Sequence, residues 1–241
     1  MELQEMIYKR KSVRKYSQEL VDEATIYKIN RFCSELKPLY DHIRVRAEIV
    51  GKENVKCFLP WVTPQVVAVF SEKTDGYLEN AGFLYQQLDL YLQSLGLGSC
   101  WLGLGRLDEY AKSSREDGLS FVIMLAFGHP REELRSDISQ FKRKALSEIS
   151  DREDERLEPA RLAPSSVNSQ PWYFTHEGES IHAYCVKQGL LKKRALGDMN
   201  RIDMGIALAH MYVANPDTFC FQRTNEVEEQ KNYEYIGSFT L

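Results

Sequence analysis

The chain has 241 residues, 43% of them hydrophobic and 27% charged, with only 14 Gly and 8 Pro. Such a composition can bury a sizeable core, which excludes collagen-like, low-complexity and wholly disordered classes. With 31 Lys and Arg against 35 Asp and Glu, the formal charge of −4 argues against a protein wrapped along a nucleic-acid backbone.

No apolar run reaches the roughly 18 residues that a membrane-spanning helix needs. The opening MELQEMIYKRKSVRKY also lacks the apolar segment of a secretory signal. Cysteines at 33, 57, 100, 185 and 220 are odd in number and too dispersed for a metal knuckle or a disulfide scaffold. These features predict a cytoplasmic protein with neither membrane nor nucleic acid as partner. The length admits one compact unit or two intimate halves.

Residues 2–10 read as a short helix with Leu3, Met6 and Ile7 on its apolar side, running into Lys9, Arg10, Lys11, Ser12, Arg14 and Lys15. A second helix is predicted over 22–36, starting near Asp22, with Ile26, Ile29, Phe32, Cys33 and Leu36 on one stripe. Pro38 marks its boundary. The alternation of IRVRAEIV (43–50) predicts a strand, and VVAVF (66–70) a buried one. From Leu78 to Leu95 the period turns helical through Phe83, Leu84, Leu88, Tyr91 and Leu92. LGLGSCWLGLG then reads as a helix-to-loop junction, its glycines allowing tight turns.

FVIMLAFG (121–128) reads as a central strand covered by helices on both faces. The charged stretch Ser147–Glu158 reads as linker or helix start. Short strands follow at 173–176 and 181–186, a buried helix at 201–214, and final strands at 219–222 and 235–239. This order predicts an α+β layered fold with a mixed, mainly antiparallel central sheet flanked by helices. The two halves share an organisation without clear residue identity, so duplication is one explanation of it.

Three segments carry residues that packing alone does not explain. In KRKSVRK (9–15), Arg10, Lys11, Ser12 and Arg14 combine guanidinium forks, an ammonium and a hydroxyl, a set suited to phosphate oxygens. A solvated helix end, which also favours cations, fits the same residues. In ARLAPSSVNSQPWYF (160–174), Pro164 and Pro171 bracket Ser165, Ser166, Asn168, Ser169 and Gln170. Their hydroxyls and amides suit the carbonyls and nitrogens of a flat heterocycle, and a plain capping turn is the other reading. Trp172 reads as a packing anchor.

In GLGSCWLGLG (96–105), glycines let backbone approach a ligand while Trp101 and Leu102 offer apolar surface. The segment is neither a strand-GxGxxG-helix nor a GKS/T loop, which excludes both nucleotide-binding motifs. Cys100 reads as a buried structural thiol. His129, His176 and His182 read as cap or strand residues and His210 as a satisfied core group; Asp198, Asp203 and Glu226 form no convergent metal or carboxylate pattern.

Jointly these segments resemble the nitroreductase family of flavin enzymes, in particular a branch with a tandem, rearranged layout. KRKSVRKY resembles the family's RRSxRxY segment and APSSVNSQPWYF its APSSxNSQPWxF segment. NAGFLYQQLDLYLQSLGLGSCWLG resembles its long helix and glycine turn, and FVIMLAFGHP with FKRKALSEI its final strand and basic segment. The resemblance covers most of residues 1–174. It implies a nitroreductase-like fold holding FMN, with Arg10, Lys11, Ser12, Arg14 and Arg143 near the phosphate and ribityl chain. Pro164, Ser165, Ser166, Asn168 and Gln170 would approach the ring from the opposite side, and Trp101, Leu102 and Gly103 its reactive edge.

The implied activity is an FMN-dependent NAD(P)H oxidoreductase working by ping-pong hydride transfer through flavin N5 to a nitroaromatic, quinone or similar small oxidised acceptor. It needs no metal and no protein nucleophile. A non-catalytic FMN-binding or sensing protein is the alternative. In ordinary members the APSSxNSQPW segment follows soon after RRSxR, whereas here it begins beyond residue 160. That departure implies one chain supplying both walls of one site, as a monomer or a homodimer. Residues 1–241 would then form a single compact domain of interlocked halves, 1–150 and 151–241.

Overall fold

Two long helices, α3 (Tyr77–Ser94) and α6 (Leu190–Ala214), touch backbone to backbone at the centre of the molecule. The computed structural model describes residues 3–56, 63–108, 118–187, 190–224, 227 and 230–241, and in α6 the side chains from Met199 onward. Cys57, Glu226 and the Asp198 side chain lie outside the described residues. A β-carbon added at Gly82 would overlap the carbonyl of Ile202, and one at Gly205 the carbonyl of Glu79. The contact is reciprocal: each glycine sits against the residue three positions before the other. A two-fold axis generates contacts of this kind.

Around this axle the other elements run in order. They are α1 (Leu3–Ile7), α2 (Glu23–Glu35), β1 (Val45–Gly51), β2 (Val55–Lys56), β3 (Gln65–Ser71), β4 (Gly98–Leu102), β5 (Arg106–Leu107) and β6 (Ser120–Gly128). After them come α4 (Leu146–Ile149), α5 (Glu158–Leu162), β7 (Trp172–Glu177), β8 (Ser180–Val186), β9 (Cys220–Gln222) and β10 (Tyr233–Thr240). One four-stranded sheet has the order β1-β3-β6-β4 and another β7-β8-β10-β9; β2 and β5 form a short ladder. Every ladder is antiparallel, and parallel bridges at Ser12–Ser99 and Ser150–Phe174 make the pairing mixed. The α+β layering expected from the sequence is therefore present. A single apolar cluster runs through both sheets and both long helices, from Val67, Leu88 and Phe127 to Trp172, Phe174, Ile206 and Phe239.

Most elements fall where periodicity put them. Asp22 caps α2 as expected, accepting the Thr25 N–H at 3.0 Å. The glycine-rich stretch differs from the expectation. Gly98–Leu102 is a strand, paired along β6 from Gly98–Gly128 to Leu102–Met124, rather than a bare junction. Glycine and serine dilute its strand signal because something else must fit there: a side chain at Gly98 would collide with Val13, which lies against the strand. α1 also stops at Ile7, and α6 starts earlier than expected, at Leu190.

Gly205→Ala puts a methyl against backbone that cannot swing aside, so a destabilisation of about 1–3 kcal/mol is expected from overpacking. Urea unfolding should show it as a lower midpoint with an unchanged slope; a midpoint equal to wild type would mean that the helices part freely.

Candidate functional site

The cationic segment 9–15 is laid across the end of α3 by a buried polar stripe, Gln86, Asp89 and Gln93, spaced i, i+3, i+7. Arg10, 1% exposed, donates from Nε to Asp89 Oδ2 at 3.0 Å. The same carboxylate accepts from Ser99 Oγ at 2.6 Å and Gln86 Nε2 at 2.9 Å. Gln93 grips the Lys11 backbone both ways, accepting its N–H at 2.9 Å and donating to its carbonyl at 3.1 Å. Val13 N–H pairs with Ser99 O of β4 at 2.9 Å. From the outer side Glu132 accepts the Arg14 N–H at 2.7 Å and pairs with Lys11 Nζ at 2.7 Å. Arg135 donates to the Arg10 carbonyl.

The stripe continues into α6. Gln86 Oε1 accepts the indole N–H of Trp101 at 3.0 Å, while its amide donates to His210 Nε2 at 3.0 Å. His210 Nδ1 lies 2.9 Å from the Pro159 carbonyl, which can only accept, so Nδ1 carries the ring proton. Burial, with Arg10 second, pushes His210 down to about 3. It is thus the satisfied neutral group expected from its place on a buried helix.

The opposite wall is the turn Pro164–Gln170, which holds Val167 (φ 48°), Asn168 (φ 56°) and Gln170 (φ 48°) in the left-handed region. Such a conformation costs a β-branched or bulky residue of order 1–3 kcal/mol and persists only where the surroundings over-determine it. Here they do. Arg143 donates to the carbonyls of Ala163 and Leu162 at 3.0 and 3.2 Å and to Asn168 Oδ1 at 2.7 Å. Asn168 Nδ2 reaches the Lys142 carbonyl at 2.9 Å, and Gln170 Oε1 accepts the Lys144 N–H at 2.8 Å. Ser165 Oγ accepts the Gln170 N–H at 2.9 Å, and both oxygens of Asp203, on α6, lie 3.0 Å from the Ser166 N–H.

Between the walls lie two adjoining cavities that share Ser12, Arg14, Pro164, Ser165 and Val167. The larger, about 410 Å³, is also lined by Arg10, Lys11, Arg143 and Asn168. The smaller, about 140 Å³, is also lined by Trp101, Gly103 and Ser166. Eleven of the residues singled out from sequence therefore come together. Leu102 instead points into a separate apolar cluster with Val13 and Met124. Gln170, 4% exposed, lies behind the turn, its side chain committed to Lys144 and Asn168. Arg135 and Lys142 line the larger cavity without having been singled out, and Asp203, set aside from sequence as part of no carboxylate pattern, lines the smaller. Cys100 lines the smaller one, and burial raises its thiol above the ordinary range. Trp172 sits in the core at 1% exposure, as an anchor should.

The two cavities differ in charge. Among the described residues six cations line the larger, Arg10, Lys11, Arg14, Arg135, Lys142 and Arg143, and no carboxylate does. Of these six, only Arg10 and Lys11 have an acidic partner among the described residues. Burial first, then the neighbouring guanidiniums, lowers Arg143 to about 9 and Arg135 to about 10. A half-buried set of mutually repelling donors suits an anion with several oxygens. The smaller cavity joins Ile123, Ile202, Ile206 and Trp101 to hydroxyls and one buried acid, surroundings suited to a flat, polar-edged ring. Among the described residues no cluster of His, Cys, Asp and Glu could hold a metal, and no helix is long and apolar enough to cross a membrane.

The family model described as "Putative TM nitroreductase" matches residues 2–215. Among solved structures, a "putative nitroreductase" from Thermotoga maritima MSB8 aligns with a TM-score of 0.66 at 20% identity, over 99% of this chain and 92% of the other. A nitroreductase family protein from Clostridium difficile 630 gives 0.51 at 19% identity, over 64% of this chain and 99% of its own. At such identities the likeness is one of fold. No curated protein matches the chain.

Removing Asp89 strands the Arg10 guanidinium in the core. Asp89→Ala is expected to cost about 3–5 kcal/mol, the range for breaking a buried pair from one side. Chemical denaturation reads this directly. A loss below about 1 kcal/mol would mean that Arg10 finds water.

Proposed function

Because the chain belongs to the "Putative TM nitroreductase" family, we propose that it is an FMN-dependent NAD(P)H oxidoreductase acting on a small oxidised acceptor such as a nitroaromatic or a quinone. One observation carries this reading. Two segments far apart in sequence, 10–14 and 164–168, face each other across a cleft with a cationic end and an apolar, polar-edged end. FMN has that division of character, a phosphate dianion on a flexible chain joined to a flat heterocycle. When bound, it supplies the redox chemistry, accepting a hydride from NAD(P)H and passing the reducing equivalents to the acceptor at the same face.

The protein's part is to hold and to orient. Arg14, Lys142 and Arg143, with Arg135 behind them, would hold the phosphate. Ser12 and Ser165, common to both cavities, would meet the ribityl chain. Trp101 would form a wall beside the ring, its indole oriented by Gln86. Since both walls belong to one chain, the proposed stoichiometry is one FMN per chain, and the halves 1–150 and 151–241 are taken to fold only together. No protein nucleophile is required, and hydride donor and acceptor would use the cleft in turn, giving ping-pong kinetics.

The purified protein is expected to be yellow, to bleach under anaerobic NAD(P)H, and to regain colour with a quinone or nitroaromatic. Colour without bleaching would leave a flavin binder that is no reductase. In apoprotein titrations, Arg143→Ala should weaken FMN binding about 10–100-fold, the worth of lost charge-assisted bonds. Lys142→Ala, at an exposed ammonium, should weaken it by about 2–10-fold and flatten the salt dependence. Fragments 1–150 and 151–241 expressed apart should be unfolded and flavin-free by circular dichroism and absorbance.

A further inference from the structure

Asp203 belongs to none of the motifs that mark the cleft, yet it lines the smaller cavity and is 3% exposed. Among the described residues no Lys, Arg or His pairs with it. Its neighbours are the Ser166 N–H, 3.0 Å from both oxygens, and the Ser169 side chain, which also favours its charged form. One oxygen suffices to accept one N–H, so the carboxyl holds more capacity than the turn uses.

The chain itself shows what the turn-holding task requires. Across the reciprocal contact of α3 and α6, Asn80 stands two residues before Gly82, as Asp203 stands two before Gly205. Asn80, fully buried, does the same work: its Oδ1 accepts the N–H groups of Leu39 and Tyr40 at 2.9 and 3.0 Å. The turn that it holds packs Tyr40 edge-on against Phe221, with ring centroids 5.6 Å apart. A neutral amide is thus enough to tie a turn to this helix pair, and it avoids the cost of burying an unpaired carboxylate. Asp203 instead lines an open cavity.

We propose that Asp203 is a specificity-determining hydrogen-bond donor, holding its proton at neutral pH and offering the O–H to a carbonyl oxygen or unprotonated ring nitrogen of the heterocycle bound in the smaller cavity. The inference rests on the FMN reading above. Burial, opposed by the Ser166 N–H and the Ser169 side chain, raises this carboxyl to about 8. The groups around it leave the assignment intact. Arg14 and Cys100 line the same cavity, Ser169 neighbours it on the turn, and Cys185 of β8, raised by burial to about 12, feels its charge. Arg201, two residues earlier on α6, is committed to Glu79 at 2.8 Å and Glu234 at 3.1 Å.

The test is FMN titration of apoprotein between pH 6 and 9.5, with wild type beside Asp203→Asn. The amide preserves the tie to Ser166, as Asn80 does at its own turn, and cannot titrate. Wild-type Kd should rise about tenfold per pH unit above pH 8, whereas Asp203→Asn, within about threefold of wild type at pH 6.5, should lack that rise and keep only the weakening near pH 9 that loss of charge at Arg143 gives both proteins. Superimposable curves would overturn the proposal while leaving FMN binding intact. Absence of FMN binding by wild type at every pH would sink the functional reading instead. Infrared spectra of the wild type supply a second readout independent of the variant's folding. A protonated-carboxyl band at pH 6.5 that shifts to lower frequency on adding FMN supports donation; no such band, or one indifferent to FMN, refutes it.

Discussion

The close approach of α3 and α6 is the constraint on which the rest depends. Each wall of the cleft hangs from one of these helices, the cationic segment and β4 from α3 through Gln86, Asp89 and Gln93, the Pro164 turn from α6 through Asp203. The separation of the walls is therefore set by how near the two helix axes come. Glycine at 82 and 205 lets carbonyls fill the place of side chains, and a close-packed contact of that sort does not slide. His210 reinforces the joint, tying α3 to the Pro159 carbonyl of α5 through Gln86.

A wall built from buried polar groups is costly, and its value lies in having one solution. Arg10 and Asp89 are removed from water almost entirely, and such pairs often stabilise less than apolar residues of the same volume. What they confer is a fixed arrangement. Asp89 accepts three donors, Gln86 uses both amide hydrogens and its oxygen, and the tautomer of His210 follows from the Pro159 carbonyl. The left-handed turn opposite is held the same way, its strain offset by bonds from Arg143, Lys144 and Asp203. The backbone of both faces is thus held by hydrogen bonds within the protein itself, which lowers the ordering cost of binding.

The sequence made much of this legible because hydrophobic periodicity reports burial directly. The strands at 45–51, 65–71 and 120–128 and the helix at 77–94 follow from it. The late position of APSSVNSQPW was enough to suggest two walls from one chain. What stayed hidden shares a cause: the residue's role is set by a neighbour far along the chain. Gln86, Asp89 and Gln93 look like a solvated stripe until Arg10, Lys11 and Ser99 are placed against them. β4 is disguised by the glycine that makes room for Val13. Val167, 80% exposed, occupies a backbone region that its own propensity disfavours, so local rules could not find the turn's shape. Arg135 meets Arg10 only through the fold, and Asp203 sits in a helix whose other residues read as core.

Covalent continuity between the two walls has a consequence for behaviour in dilute solution. A cleft shared by separate subunits assembles only above a threshold set by their dissociation constant. Here the second wall is tethered to the first, so its local concentration is a property of the connecting chain rather than of the sample. Dilution to the sparse copy numbers of a rarely expressed protein would leave such a cleft whole.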